Sequence, residues 1–408
     1  MSRPRLAILS VHTSPLAQPG LGDGGGMNVY VRALATALAR AGVDCDVLTR
    51  AEHPEAPPVI DIEPGFRVVH VEAGPKAPIP RHGLADIIEP FTDATLEHIS
   101  RSGTVYDAVH ANYWVSGGVG HALKHALDLP LVVTFHTLDR VKADAGIDDD
   151  ATVRARVERE VVACADLIVA PTFAEHRQLV DLYDAVPSRI EVVPPGVDHR
   201  VFASGSRLEA RTALGLDGAP VLLFVGRIQP LKGAGLAIRA LSMLEDISAQ
   251  LVLVGGPSGP DGASELTRLH ALVDELGLGH RVRFVAPQPH DDLVTYYRAA
   301  DVCLVPSRTE SFGMVALEAA ASGTPVVAAN VGGLRTLVDH GHTGYLIDER
   351  EPEDFAHPVE RILADPDLAE RLSAQAVEFS ADYSWSVTAA RLRRLHGDLT
   401  IRSLVRCA

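Results

Sequence analysis

The sequence predicts an α/β protein of two Rossmann-like domains whose parallel sheets face a central cleft. Three observations carry this. Apolar runs of strand length alternate with helical periodicity along nearly all of the 408 residues, the pattern of parallel sheets. Pro194-Pro195-Gly196 interrupts the alternation near its midpoint and reads as a linker. Polar residues and glycines recur just past the carboxyl ends of the strand runs, where open α/β sheets bind ligands.

Before the linker, strand runs are expected over 6–12, 43–49, 66–72, 106–111, 131–136, 167–171 and 190–193. Helical periodicity fills gaps between them, as at 28–40, 115–126 and 153–163. After the linker a second series follows, with strands at 221–225, 251–254, 282–285, 302–305, 325–329 and 345–347. Helices are expected there over 236–244, 264–276, 291–299, 314–321 and 352–364. Two sheets of similar size with one linker make a cleft, a common place for a small-ligand site.

The net charge of −16 and pI near 5.5 argue against nucleic acid as a partner. No apolar run reaches the roughly 18 residues of a transmembrane helix, and the opening apolar run is too short for a signal peptide. A cytoplasmic location is therefore expected. Cys45, Cys164, Cys303 and Cys407 show no CxxC or metal-ligand spacing and read as small buried hydrophobes of a reducing compartment. Lys76, Lys124, Lys142 and Lys232 are the only lysines, so a lysine beside a glycine at a strand end stands out.

Four groups of residues carry the candidate chemistry. Gly20 to Asn28 places five glycines, Gly25 and Gly26 among them, between the first strand and its helix. Such a turn lets backbone N–H groups approach an anion. With Asp44 and Asp46 downstream, a dinucleotide site is open on this motif alone. Arg227 and Lys232 flank a proline turn after the first strand of the second series, and would hold a diphosphate.

Glu310 and Glu318 flank Ser311-Phe312-Gly313-Met314-Val315. Their carboxylates suit a sugar hydroxyl and a ribose diol, with the backbone N–H groups of 312–315 facing the same crevice. His136 and Thr137, then His110, Asn112 and Tyr113, then His12 and Thr13 put polar residues at three strand ends, as the floor of an acceptor pocket. No DxD or HExxH pattern occurs, and Asp148-Asp149-Asp150 reads as a solvated loop. No metal or other cofactor is expected. Arg227, Lys232 and helix N-termini would stabilise a leaving diphosphate instead.

The chain resembles the retaining glycosyltransferases of the GT-B fold, family 4, over nearly its whole length. Gly226-Arg227 with Lys232-Gly233, the Glu310/Glu318 pair and Ala321-Ser322-Gly323-Thr324-Pro325-Val326 carry the resemblance. Within the family, His12 to Leu16, Gly22 to Tyr30, Tyr113 to Gly117 and Phe224 to Pro230 look most like the D-inositol-3-phosphate glycosyltransferases of mycothiol biosynthesis.

The resemblance implies transfer of N-acetylglucosamine from UDP-GlcNAc to an inositol phosphate with retention. It implies that Arg227 and Lys232 hold the UDP diphosphate, Glu318 the ribose and Glu310 the transferred sugar. Gly25, Gly26, Phe312, Gly313, Met314 and Val315 would complete the donor site. His136 would lie near the reacting centre, and His12, Asn28, Arg81, Tyr113, Thr137 and Arg154 would bind the acceptor. Arg81 stands where the family has a lysine, and the segment after Lys142 is shorter than in the family. The last helix, within 384–408, is expected to return to the first domain (1–194), leaving 195–383 as the nucleotide-sugar domain. A homodimer is one expectation for the assembly. Fructose 6-phosphate or a lipid-linked sugar are the alternative acceptors, and a UDP-sugar epimerase on the same fold the alternative reaction.

Overall fold

The computed structural model of the chain describes residues 3–22, 24–144 and 151–407. The Asp148-Asp149-Asp150 run lies outside the described residues. Residues group into two compact units. One comprises Met1–Ala17, Met27–Pro194 and Trp385–Ala408; the other comprises Gln18–Gly26 and Pro195–Ser384. The glycine-rich loop 18–26 thus groups with the unit that follows the linker, although the flanking chain does not.

The first unit is built on eight strands: β1 (Arg5–Leu9), β2 (Asp44–Arg50), β3 (Val59–Glu63), β4 (Phe66–Val71), β5 (Ala108–Asn112), β6 (Leu131–Thr134), β7 (Leu167–Ala170) and β8 (Ile190–Val192). Their order is β3-β4-β2-β1-β5-β6-β7-β8, parallel throughout except for β3, which runs antiparallel to β4. The pleat sends alternate residues to opposite faces. Leu6 and Ile8 pack in one buried layer with Val31, Leu34 and Val47, and Ala7 and Leu9 in the other with Val109, Val115 and Val133. Two buried faces explain why these strands read as continuous apolar runs. Ala389, Leu392, Leu395 and Leu399 of the helix Trp385–Leu399 complete the first layer.

The second unit has six parallel strands: β9 (Val221–Val225), β10 (Gln250–Val254), β11 (Val282–Val285), β12 (Val302–Val305), β13 (Val326–Ala329) and β14 (Gly344–Ile347). Their order, β11-β10-β9-β12-β13-β14, is the doubly wound arrangement in which the chain reverses its direction of travel between β9 and β12. Leu222 and Phe224 face one core layer, Val221 and Leu223 the other.

Two features depart from the sequence reading. β3 has no counterpart among the expected strands, because Val59-Ile-Asp-Ile-Glu is a half-exposed edge strand without a buried-run signature. Cys45 and Cys303 are buried hydrophobes as expected, but Cys164 and Cys407 are not independent. They are 243 residues apart in sequence, their Cα atoms lie 5.1 Å apart and their sulfurs are within bonding distance.

Candidate functional site

In the second unit the chain reverses between β9 and β12, the position at which open α/β sheets bind ligands, and the sequence-predicted residues lie on or just beyond the loops that leave these strands. Arg227 follows β9 directly. Lys232 closes the short turn Pro230–Lys232, and Gly233 then starts the helix Ala234–Met243 with φ +76°. Glycine is required there, since a Cβ would sit 2.2 Å from the carbonyl oxygen of Pro306 at the end of β12. The two loops can therefore meet closely, and Lys232 Nζ lies 2.7 Å from Glu310 Oε2, both side chains half-buried. An ammonium has three N–H donors, so one serves Glu310 while the others can address phosphate oxygens.

Gly313 (φ +107°) caps the helix Met314–Ala321, whose first N–H groups project from the same loop. That loop is braced from behind, where the Gly333 N–H donates to the Glu310 carbonyl. Glu318, on the helix, is 3% exposed. Its Oε1 lies 2.7 Å from His290 Nε2, and its Oε2 accepts from the Tyr297 hydroxyl at 2.8 Å. Burial, reinforced by Glu318, raises the Tyr297 phenol far above its ordinary range, so it remains a donor. The glycine-rich loop joins this unit through the Ser258 hydroxyl, which donates to the Gly22 carbonyl and accepts from Gln229. A Cβ on Gly25 would lie 3.3 Å from Nε of Arg227, and one on Gly26 3.9 Å from the Met314 side chain. Gly25, Gly26, Arg227 and Met314 are thus brought together. Phe312 is buried in the core, which leaves its backbone to face the loop.

In the first unit, the reversal lies between β1 and β5. His12 follows β1 and stacks on Tyr113, which follows β5, with ring centroids 4.5 Å apart. Asn28 Nδ2 donates to the Thr13 hydroxyl and the Ser14 carbonyl, tying the helix Gly26–Arg40 to the loop after β1. Tyr113 (φ +78°) precedes the helix Trp114–Leu127, whose N-terminus is a favourable place for an anion. Arg154 reaches this point from the helix Ala151–Cys164. Its Nη1 lies 3.2 Å from the Tyr113 hydroxyl, and its Nη2 donates to the Thr137 carbonyl and hydroxyl at 2.7 and 3.1 Å. Burial opposes the Arg154 charge, but Tyr113, Glu158 and Asp139 outweigh it and raise its pKa.

His136 (φ +62°) donates from Nε2 to Asn112 Oδ1 at 2.9 Å. Part of its surface stays accessible, yet its dense surroundings push its pKa down to about 3, so the imidazole is neutral. His110 does not join the polar floor expected at the strand ends. It is fully buried, bonded to the Thr134 hydroxyl and set 5.3 Å from the ring of His396. Arg81 begins a short turn, Arg81–Gly83, and its side chain lies outside the described residues.

Sequence reasoning missed the supports. Glu158 accepts from Arg154 Nε at 2.7 Å and from the buried Tyr183, and its i,i+4 spacing from Arg154 was a legible signal. Nothing local points to His290 and Tyr297 as partners of Glu318.

The chain is similar to known proteins over nearly its whole length. The family model "Glycosyl transferases group 1" matches residues 206–379, and "Glycosyltransferase Family 4" matches 24–201. The D-inositol 3-phosphate glycosyltransferase of Acidothermus cellulolyticus is 46% identical, covering 97% of this chain and 90% of its own. That of Actinosynnema mirum is 47% identical, covering 96% and 97%. The solved sucrose-phosphate synthase of Thermosynechococcus elongatus is 35% identical, with a TM-score of 0.91 over 98% of this chain and all of its own.

Proposed function

Because the chain belongs to the family 4 glycosyltransferases, a family of hexosyltransferases, we propose that it transfers N-acetylglucosamine from UDP-GlcNAc to 1D-myo-inositol 3-phosphate with retention. The observation that carries the acceptor reading is the convergence of Arg154, Tyr113 and Thr137 at a helix N-terminus. One fixed guanidinium, two hydroxyls and free helix N–H groups suit a single phosphate monoester. The names of the relatives at 46 and 47% identity supply the inositol.

On this reading the donor occupies the crevice at β9 and β12. Arg227 and Lys232 take the diphosphate, and Glu318 takes the ribose, its carboxylate held in orientation by Tyr297 and His290. Glu310 orders the sugar and, through its ion pair, fixes Lys232 where charge develops on the departing UDP. Neither carboxylate serves as nucleophile, since Lys232 engages one and Tyr297 and His290 the other. The acceptor hydroxyl attacks the anomeric carbon on the face the UDP leaves, and its proton passes to the leaving phosphate oxygen. His136, being neutral, contributes a hydrogen bond rather than a proton.

The test is UDP release from UDP-GlcNAc with and without 1D-myo-inositol 3-phosphate, beside fructose 6-phosphate, with the product anomer read by NMR. Inositol-phosphate-dependent release of an α-linked product is expected. Release driven by fructose 6-phosphate alone would move the chain to the alternative acceptor, and a β-linked product would remove retention.

A further inference from the structure

Away from both sets of strand ends, four side chains from three separate segments meet. His121 and His125 lie one turn apart on the helix Trp114–Leu127, Cys164 ends the helix Ala151–Cys164, and Cys407 lies in the tail after the last helix. Their ligand atoms all fall within 4.8 Å of one another. His125 Nε2 lies 3.5 Å from Cys164 Sγ and 3.2 Å from Cys407 Sγ, and His121 Nε2 lies 3.8 Å from Cys407 Sγ. A disulfide between the cysteines would account for the sulfurs but not for two imidazoles turned onto them.

We propose that His121, His125, Cys164 and Cys407 form a structural zinc site, with both cysteines as thiolates. Two sulfurs and two imidazole nitrogens are a tetrahedral zinc donor set. With Zn–S near 2.3 Å and Zn–N near 2.0–2.1 Å, a tetrahedral site puts sulfur and nitrogen ligands about 3.6 Å apart. The three sulfur–nitrogen distances here, 3.2, 3.5 and 3.8 Å, bracket that value. Starting from the dithiol, binding takes up one divalent cation and releases two thiol protons to solvent; no electrons move.

The surroundings are prepared for it. Lys124, on the same helix as the histidines, donates to the Cys164 carbonyl at 2.8 Å and pairs with Asp166 at 2.7 Å. Asp166 in turn accepts from the Val405 N–H at 2.6 Å, which registers the tail two residues before Cys407. These bonds fix the backbone at Cys164 and the tail before Cys407 against the helix that carries both histidines. The two helices clamped here are those that begin beside Tyr113 and carry Arg154. His121 and Cys164 are seven to ten residues further along, roughly 10–15 Å by helix rise. The cation would therefore hold the far ends of two helices and the tail in place, with no part in the chemistry.

The full chain should be purified under reducing conditions without chelator, and its zinc measured by mass spectrometry, followed by cobalt replacement. Close to one zinc per chain is expected, and the cobalt form should show thiolate charge-transfer and tetrahedral ligand-field bands. Outer-shell changes alone cost zinc sites about 10–100-fold in affinity, so H125A and C407S, both on accessible positions, should lose at least that much. Their circular dichroism would show whether the fold survives. No zinc retained by reduced, folded wild type after loading and desalting overturns the proposal. So does a Cys164–Cys407 disulfide found as the sole state of the freshly reduced and repurified protein, or zinc content unchanged in H125A and C407S.

Discussion

The guanidinium of Arg154 lies against the ring of Tyr113, 5.0 Å from its centroid, while Nη1 of the same group lies 3.2 Å from that residue's hydroxyl. Tyr113 holds a left-handed backbone conformation at the start of a helix, and Arg154 arrives from another helix altogether. The contact therefore fixes both the charge and the hydroxyl of the proposed acceptor site.

Replacing Arg154 with Lys keeps the charge but loses the planar fork that serves Tyr113, Thr137 and Glu158 together. Loss of one charge-assisted contact of about 1.5–3 kcal/mol should raise the KM for the phosphorylated acceptor roughly 10–100-fold and leave the donor KM unchanged. Arg154→Ala is a poorer probe. It strands the fully buried Glu158, at a cost of about 3–5 kcal/mol in stability. A lowered melting temperature in the Lys variant with both KM values intact would reduce Arg154 to a structural role.

Lys232→Ala should separate chemistry from folding. Its ion pair with Glu310 leaves only about a fifth of each side chain exposed, so its loss should cost about 1–3 kcal/mol, between an exposed pair and a fully buried one. Removing a group that stabilises charge on the leaving UDP should lower kcat about 10²–10³-fold. Steady-state kinetics beside urea melts tests this, and wild-type turnover would reject Lys232 as a leaving-group stabiliser.

Glu318→Gln keeps the shape of a side chain that both His290 and Tyr297 address, but weakens its acceptance from a diol. The donor KM should rise about 10-fold or more while the acceptor KM stays constant. Isothermal titration with UDP reads the effect without turnover, and unchanged UDP affinity would place Glu318 outside the donor site.

Stability should fall on the acid side because of His396. Burial lowers its pKa to about 4, and neither ring nitrogen has a hydrogen-bond partner among the described residues. The unfolded chain then binds more protons than the native one between pH 6.5 and about 4. Stability is complete above the unfolded pKa and declines as pH falls through this window. The loss is about 1.4 kcal/mol per pH unit. His396→Leu should lessen the slope of that limb in urea melts, and the remainder belongs to His136 and His110, whose pKa values burial also lowers. Glu175 acts in the opposite sense. Burial, then Glu158, raises its pKa to about 8, so its contribution is complete below pH 4.5 and lost as pH rises through 8. Glu175→Gln should remove that alkaline decline.

The central strands of both units were legible because they are buried on two faces and therefore almost continuously apolar, as Leu6 to Leu9 and Val221 to Val225 show. The loops at the strand ends were legible for a different reason. Gly233 and Gly313 occupy conformations that leave little room for any other residue. The edge strand β3 was not, since half-exposed alternation over five residues gives too little signal. Partnerships made over long sequence distances were also hidden. Tyr297 reaches Glu318 across 21 residues, and Cys407 meets His125 across 282. His121 and His125 show the spacing of two ligands on one helical face, but without the fold there is no reason to join them to either cysteine.

The helix Trp385–Leu399 fills the first unit's buried layer, although some 190 residues separate it from Pro194, the last earlier residue of that unit. At about 5–20 residues per second, a ribosome needs roughly 10–40 seconds to cover that stretch. Through that interval Leu6, Ile8 and Val31 wait without the partners that seal them. The unit made first is thus among the last to finish folding, and a nascent chain stalled within its second half would present an apolar flank to chaperones.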